Sequence, residues 1–178
     1  MRIIAGAWRG RVLSAPSGAT RPTADRVRQA VFDRLTHAPW AMPLRDATVL
    51  DAYAGTGALG LEALSRGAAH AVFMERDRAA LHVLRANVVA CRAEAQCTVL
   101  AADVLRPPPG RPCGLVFLDP PYGQGAVVPA VAALRAAGWL ASGAVLVAET
   151  GVADPAPELP NLLARFAHGA AAVHVFTA

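Results

Sequence analysis

The sequence contains no lysine, so all 17 of its basic residues are arginine. A lysine-free, alanine-rich composition is typical of a GC-rich genome, and a single arginine is therefore weak evidence for a bound ligand. Cysteine is also scarce: Cys91, Cys97 and Cys113 form an odd set without a Cys-x-x-Cys pair. That pattern argues against a disulfide framework and against a zinc site. We expect reduced cysteines and no metal ion.

Long hydrophobic runs are absent as well. Apolar residues make up 54% of the 178 positions, but arginine, aspartate, glycine and proline divide them into short runs. None of these runs approaches the roughly 20 residues that span a bilayer. The apolar run in residues 1–9 is too short for a signal peptide. We therefore expect a cytoplasmic protein without membrane association, with one domain large enough to bury a full core.

Positive charge is concentrated near the N-terminus. Residues 1–34 hold seven arginines and only two acidic residues, whereas the rest of the chain holds ten arginines and eleven acidic residues. A basic arm joined to a nearly neutral domain is typical of a protein that binds a polyanion.

The arm itself has two predicted parts. Residues 2–14 read as a small hairpin with arginines at its tip, and a helix follows Pro22 with apolar residues at every fourth position. We expect that helix to direct Arg26, Arg28 and Arg34 outward. We place a domain boundary near residue 43, between a 1–43 extension and a 44–178 domain.

After residue 44 the pattern alternates between apolar strands and helices. This alternation predicts an α/β fold of the Rossmann-like type, with a mostly parallel sheet and helices on both faces. Ligands of such sheets bind beyond the carboxyl ends of the strands. The predicted strands are 48–53, 70–75, 97–101, 114–118, 143–149, 162–168 and 171–176, and the predicted helices are 57–66, 77–90 and 126–137.

A glycine-rich turn follows the first of these strands, with Gly55, Gly57 and Gly60 leading into a helix. Glycines there allow close backbone approach to a ligand, so a side chain at Gly57 is expected to block binding. The spacing matches the dinucleotide fingerprint. However, Asp51 at the strand end would repel a pyrophosphate and suits an ammonium group, which favours S-adenosylmethionine.

Acidic residues end two further strands in this half of the chain. Glu75 lies where a ribose-binding acid belongs, and Asp103 is placed either to receive an adenine amino group or to cap the following loop. The candidate cofactor-binding residues are Asp51, Tyr53, Gly55, Gly57, Glu75 and Asp103.

The sequence Asp119-Pro120-Pro121-Tyr122 follows another apolar strand. The two prolines stiffen the backbone and leave carbonyls outside the sheet hydrogen bonds. Asp119 and the Pro120 carbonyl can then accept both hydrogens of an exocyclic amine on a nucleobase and stabilise the charge that develops on its nitrogen. Tyr122 offers a ring on which an unstacked base can stack. These three residues are the candidate catalytic residues.

Together the two motifs resemble the class I S-adenosylmethionine-dependent amino-methyltransferases. Residues 2–11, 21–28 and 57–67 resemble, more narrowly, the RsmD family. This resemblance implies methylation of N2 of a guanine in bacterial 16S rRNA, and one antiparallel edge strand near the C-terminus. It also implies 16S rRNA as partner, within a small-subunit assembly particle, and a monomeric enzyme. The candidate RNA-binding residues are Arg9, Arg11, Arg21 and Arg26.

Other functions remain open at this point. An amino-methyltransferase acting on adenine N6 of RNA or DNA would use the same acceptors. An NAD-dependent oxidoreductase is supported only by the glycine spacing and leaves Asp119 to Tyr122 without a role. A non-catalytic RNA-binding protein would need both motifs to be structural.

Overall fold

The structure is a computed structural model that describes residues 1–15 and 22–178, without the side chains of 22–24. Within those ranges, no helix combines the length and apolarity needed to cross a membrane. The helices are α1 (Pro22–His37), α2 (Ala58–Ser65), α3 (Arg78–Cys91) and α4 (Val127–Ala136), and a 3-10 helix spans Glu94–Gln96. The strands are β1 (Thr48–Ala52), β2 (His70–Glu75), β3 (Cys97–Ala101), β4 (Cys113–Leu118), β5 (Leu140–Gly151), β6 (Leu162–His168) and β7 (Ala171–Thr177).

These strands form one seven-stranded sheet in the order β3-β2-β1-β4-β5-β7-β6. Strands β1 to β5 pair in parallel, whereas β7 is antiparallel to both β5 and β6. The predicted Rossmann-like fold is therefore confirmed. The antiparallel strand does not lie at the edge, however. Six of the seven β7 residues are buried and suit an interior position, while the β6 side chains are mostly half-buried or exposed and suit the edge.

Two cores cover the two faces of the sheet. Helices α1, α2 and α3 contribute to the first core, and α4 contributes to the second. Neighbouring residues of β1 divide between them, because Val49 faces the first core and Leu50 the second. Ile3 and Leu13 are fully or almost fully buried in the first core as well. The segment before the predicted boundary near residue 43 thus shares its core with the sheet.

The N-terminal hairpin is present and is anchored on α2. An antiparallel bridge joins Arg2 to Val12. The buried carboxylate of Glu62 accepts the backbone N–H groups of Ile4 at 2.7 Å and Ala5 at 3.0 Å. At Gly6, where φ is +81°, a Cβ would lie only 1.7 Å from the carbonyl oxygen of Ser65. A glycine is therefore required where the hairpin contacts this helix.

Helix α1 does not direct all its arginines outward. Arg26 is exposed, but Arg28 is only 4% exposed. The Arg28 guanidinium donates to the Arg2 carbonyl at 2.6 Å and lies 3.6 Å from the Glu62 carboxylate. The prediction was wrong for Arg28 because a buried carboxylate on another helix draws it inward. Arg34 is exposed, and its guanidinium lies over the ring of Phe166, 3.8 Å from the centroid.

Candidate functional site

The glycine-rich turn connects β1 to α2 at the carboxyl edge of the sheet. Asp51 in β1 is 1% exposed, and its carboxyl accepts the backbone N–H of Gly60 at 2.8 Å. Burial raises the pKa of Asp51 to about 7, although the Gly60 hydrogen bond opposes the shift. A carboxyl at the start of a helix also suits the positive end of the helix dipole. A cationic group nearby would favour the ionised form of Asp51.

Glu75 ends the neighbouring strand β2 and holds the turn in place. One of its carboxylate oxygens accepts the N–H of Gly55 at 2.9 Å. The other accepts the N–H groups of Arg76 at 2.7 Å and Asp77 at 2.8 Å. An ionised carboxylate has about four acceptor positions, so one remains for a ligand hydroxyl.

A first cavity, of about 330 Å³, opens between the strand ends and α1. Its walls include Asp51, Tyr53, Gly55 and Asp119 from the sheet edge and Arg28 from α1. Arg28 brings a positive charge to the same space as the acidic side chains of the strand ends.

A second cavity, of about 690 Å³, adjoins the ends of β2, β3 and β4. Tyr53, Asp119 and Glu149 line both cavities, so the two share these walls. The sequence candidates that line the second cavity are Tyr53, Glu75, Asp103, Asp119, Pro120 and Tyr122. The structure thus brings all but one of the predicted cofactor and catalytic residues together in two adjoining cavities.

Gly57 is that exception, and the structure corrects the prediction for it. A Cβ on Gly57 would lie 2.3 Å from Cδ1 of the fully buried Leu84 and 3.3 Å from Phe73, inside the core. At Gly55, by contrast, the nearest atom to an added Cβ is 4.0 Å away. A side chain at Gly57 would therefore collide with the core before it met a ligand. The glycine that faces the first cavity is Gly55.

Asp103 already has partners at the rim of the second cavity. Its carboxylate accepts the N–H of Leu105 at 3.0 Å and pairs with the Arg76 guanidinium at 3.0 Å. The Leu105 hydrogen bond and the nearby Arg76 charge lower the pKa of Asp103. Asp103 therefore caps the loop after β3, as one of the two expectations had it, and it also lines the second cavity. Its role toward an adenine amino group stays a prediction.

Asp119 lies just beyond β4, in an acidic environment. Asp119 is an exposed residue that lines both cavities, and packing of the strand ends partly desolvates its carboxyl. This desolvation, together with the charges of Glu149 and Asp51, raises the pKa of Asp119 well above its usual range. A neighbouring hydrogen-bond donor or positive charge would stabilise the ionised form of this carboxyl. Without one, the carboxyl can hold a proton near neutral pH.

The Tyr122 side chain is 44% exposed, and its hydroxyl donates to the carboxylate of Glu149. Burial raises the pKa of Glu149, while this hydrogen bond lowers it. Sequence reasoning missed Glu149 because it sits in the apolar strand β5 with no motif around it. It also missed the cavity-facing position of Arg28, which depends on Glu62 in another helix. The one available signal for Glu149 was its place near the end of a predicted parallel strand.

Three of the four candidate RNA-binding arginines are described by the structure, and none of these three lines either cavity. Arg9 at the hairpin tip and Arg26 on α1 are exposed. Arg11 is exposed too, but its guanidinium donates to the Ala90 carbonyl in the last turn of α3. Arg21 lies outside the described residues.

S-adenosylmethionine fits the residues of this site. The Tyr53 hydroxyl is buried and has no hydrogen-bond partner among the described residues, so it has a free donor at the junction of the two cavities. Asp51, Asp119 and Glu149 carry carboxyls that a cation would stabilise in their ionised form. The Gly55 backbone leaves room for a ligand to approach closely. Cavities of 300–1,000 Å³ are the usual size for ligands of this class.

Comparison with known proteins identifies the relatives of the chain. A family model described as conserved hypothetical protein 95 matches residues 1–177. Ribosomal RNA small subunit methyltransferase D from Escherichia coli K12 is 41% identical over 163 residues, covering 90% of this chain and 79% of that protein. The protein of the same name from Haemophilus influenzae is 38% identical over 158 residues, covering 84% of this chain and 78% of that protein.

A solved structure supports the same relationship. The structure of yhhF from Escherichia coli superimposes with a TM-score of 0.85 at 36% identity, covering 99% of this chain and 97% of that one. The family model spans nearly the whole chain, and the resemblance expected from the sequence motifs is confirmed. The chain therefore belongs to the family of conserved hypothetical protein 95, the RsmD family.

Proposed function

We propose that this protein is an S-adenosylmethionine-dependent methyltransferase that modifies the N2 amino group of a guanine in small-subunit ribosomal RNA. The observation that carries the proposal is the position of Asp119, which lines both the cavity beside Asp51 and Gly55 and the cavity beside Glu75. A catalytic acceptor for an amine thus adjoins a site suited to a cationic cofactor. Family membership and the names of the close relatives support the class of reaction and of substrate.

The first and second cavities would hold the cofactor between them. Asp51 is placed to favour its ammonium group, and Arg28, in the same cavity, to favour its carboxylate. Glu75 has one acceptor position for a ribose hydroxyl, and Asp103 faces the part of the second cavity where an adenine amino group would lie. Tyr53 contributes its unpartnered hydroxyl where the cavities meet.

Asp119, Pro120 and Tyr122 act on the base. The Asp119 carboxylate and the Pro120 carbonyl accept the two N2 hydrogens, which localises the lone pair on that nitrogen and stabilises the positive charge that develops there. S-adenosylmethionine held in these cavities would supply the methyl group for N2 and would leave as S-adenosylhomocysteine. Asp119 then takes the proton that N2 releases, a role suited to its raised pKa. The Tyr122 ring holds the unstacked base in line for transfer.

The basic arm would bring the RNA to this site. Arg9, Arg11 and Arg26 are exposed, and we assign phosphate contacts to them. Arg21, outside the described residues, is assigned the same role from the sequence alone. We further propose that the substrate is 16S rRNA within a small-subunit assembly particle. The enzyme would act there as a cytoplasmic monomer that needs no metal ion, since carboxylate and carbonyl groups already supply the electrostatic stabilisation.

Nucleoside mass spectrometry tests the proposal. The protein is incubated with an isotopically labelled methyl donor and with small-subunit RNA or particles that lack the modification, and the RNA is then digested. N2-methylguanosine is expected as the sole labelled nucleoside, with no label in a DNA duplex. Label in N6-methyladenosine or in DNA would contradict guanine specificity while leaving the amino-methyltransferase chemistry in place. Absence of any label would contradict the enzyme assignment itself.

A further inference from the structure

Glu149 has no role in the mechanism above, yet it stands beside the catalytic acceptor. Strands β4 and β5 are parallel neighbours, and Leu118 pairs with Ala148. Asp119 and Glu149 are the next residues of the two strands, so both lie at the same carboxyl edge of the sheet. Their carboxyls are close enough for the charge of Glu149 to act on Asp119.

The surroundings of Glu149 place its carboxyl within the site. It lines both cavities already described and a third cavity, of about 620 Å³, beneath the loop that carries Tyr122. The Tyr122 hydroxyl donates to one of its oxygens. The ring on which the base is proposed to stack is thus joined directly to Glu149. Tyr122, Asp119 and Glu149 all line the second cavity, so a base bound there would meet both carboxyls.

When a cationic cofactor beside them keeps Asp119 and Glu149 ionised, these two carboxylates and the Pro120 carbonyl offer acceptors only. Guanine is the base that matches such a set, because its N1–H lies directly beside its N2 amino group and gives three adjacent hydrogens. Adenine presents N1, an acceptor, beside its N6 amino group, and cytosine presents N3, also an acceptor, beside its N4 amino group. A carboxylate facing either of these ring nitrogens is repelled.

We propose that Glu149 selects guanine by accepting its N1–H, while Asp119 and the Pro120 carbonyl accept the N2 hydrogens. This assignment rests on the proposed function and adds the residue that determines base specificity. The Asp119 motif alone suits any exocyclic amine, so the discrimination must come from a second group at the base edge. A hydrogen bond to a charged group changes an equilibrium by roughly 10- to 100-fold, and an unpaired acceptor facing it adds to the difference.

Replacing the target guanine by 2-aminopurine tests the contact between Glu149 and N1 separately from the amine chemistry. 2-Aminopurine keeps the 2-amino group but has an acceptor at N1. The target nucleotide is first mapped with the wild-type protein, and particles are then prepared with 2-aminopurine at that position. The wild-type enzyme is expected to favour guanine in kcat/KM by roughly 10- to 100-fold or more. In Glu149→Gln the amide can turn its NH2 toward N1, and the preference should fall to within a few-fold.

Two matched variants show whether the carboxylate itself is responsible. Tyr122→Phe keeps the ring and the Glu149 carboxylate but removes the hydrogen bond that favours its ionised form, so its base preference should fall by less than that of Glu149→Gln. Glu149→Asp keeps an acceptor-only group and should retain most of the preference. An unchanged preference in Glu149→Gln, with normal S-adenosylhomocysteine affinity as a check on folding, would overturn the proposal.

A wild-type measurement keeps the test decisive if Glu149→Gln does not fold. The wild-type enzyme alone should already favour guanine particles over 2-aminopurine particles in kcat/KM, because 2-aminopurine leaves the Glu149 carboxylate facing a ring acceptor. Equal kcat/KM for the two kinds of particle would overturn the role of Glu149. The proposed function fails in a different way, since the wild-type enzyme would then leave guanine particles unmethylated.

Discussion

Gly57 packs closely against the side chain of Leu84. A Cβ added to Gly57 would lie 2.3 Å from Cδ1 of that buried leucine. Leu84 is fully buried in the first core, so any shift of its side chain would disturb the packing around it. Gly57 also has a φ of +79°, which disfavours any L side chain. The glycine-rich turn therefore contains two kinds of glycine: one that fits the core, and Gly55, which faces the cavity.

Alanine substitutions at Gly57 and Gly55 should affect two different properties of the protein. Gly57→Ala is expected to lower the free energy of unfolding by about 2–4 kcal/mol through overpacking and backbone strain. Gly55→Ala should cost only about 1 kcal/mol for its positive φ but should weaken S-adenosylhomocysteine binding. Denaturant unfolding and calorimetry measure the two effects. A Gly57→Ala protein with normal stability and lost cofactor affinity would contradict this division.

Asp119→Asn should separate chemistry from cofactor binding. The amide can still accept one hydrogen bond, but it cannot take the N2 proton or balance the charge that develops on nitrogen. We expect kcat to fall by about 10²- to 10³-fold, as for the loss of one preorganised group at other sites. Affinity for S-adenosylhomocysteine, which carries no sulfonium charge, should stay close to the wild-type value. Near-normal turnover would show that Asp119 is not the acceptor.

The sequence was enough to place the acidic candidate residues at one edge of the sheet, because strand ends carry their own signals. Asp51, Glu75 and Asp119 each follow an apolar run, and parallel strands must bring such positions together. Two features could not be predicted in this way, because each depends on a residue distant in the sequence. A side chain at Gly57 would collide with Leu84 in α3, and the Arg28 guanidinium turns inward toward Glu62 in α2. Such partners become visible only once the helices are packed.

The raised pKa of Asp51 predicts a pH-dependent stability. An unfolded aspartate loses its proton near pH 4, whereas folded Asp51 keeps its proton up to about pH 7. The folded state therefore binds more protons in this interval, and the contribution of Asp51 to stability falls as pH rises from about 4 to about 7. Asp51→Asn has no carboxyl at this position, so its stability does not fall in this way. The free energy of unfolding of Asp51→Asn minus that of wild type should therefore rise by about 2–4 kcal/mol as pH rises across this interval.

Urea unfolding at several pH values measures this difference in parallel for the two proteins. Asp33→Asn, on the exposed face of α1, is the matched control. Its stability relative to wild type should not change with pH. A constant difference between Asp51→Asn and wild type would mean that the Asp51 carboxyl has the same pKa in the folded and unfolded protein, which would contradict the raised pKa.

The arm predicts how RNA binding depends on salt. Each arginine that contacts a phosphate contributes about 0.7–0.9 to the slope of log K against log salt concentration. Arg9→Gln and Arg26→Gln should each reduce the slope by about that amount and leave S-adenosylhomocysteine affinity unchanged. Arg11→Gln should also destabilise the protein by about 1 kcal/mol, because the Arg11 guanidinium bonds to the Ala90 carbonyl at the end of α3.

Arg135→Gln provides the control for these variants. Arg135 is exposed on α4, which covers the opposite face of the sheet from α1 and the hairpin. Its replacement changes the net charge by the same amount but removes no contact from the proposed RNA surface. Binding of Arg135→Gln to small-subunit RNA is measured by filter retention from low to moderate salt. The slope of log K against log salt concentration should equal that of the wild type. Equal loss of slope in Arg135→Gln and Arg9→Gln would mean that overall charge, and not the arm, attracts the RNA.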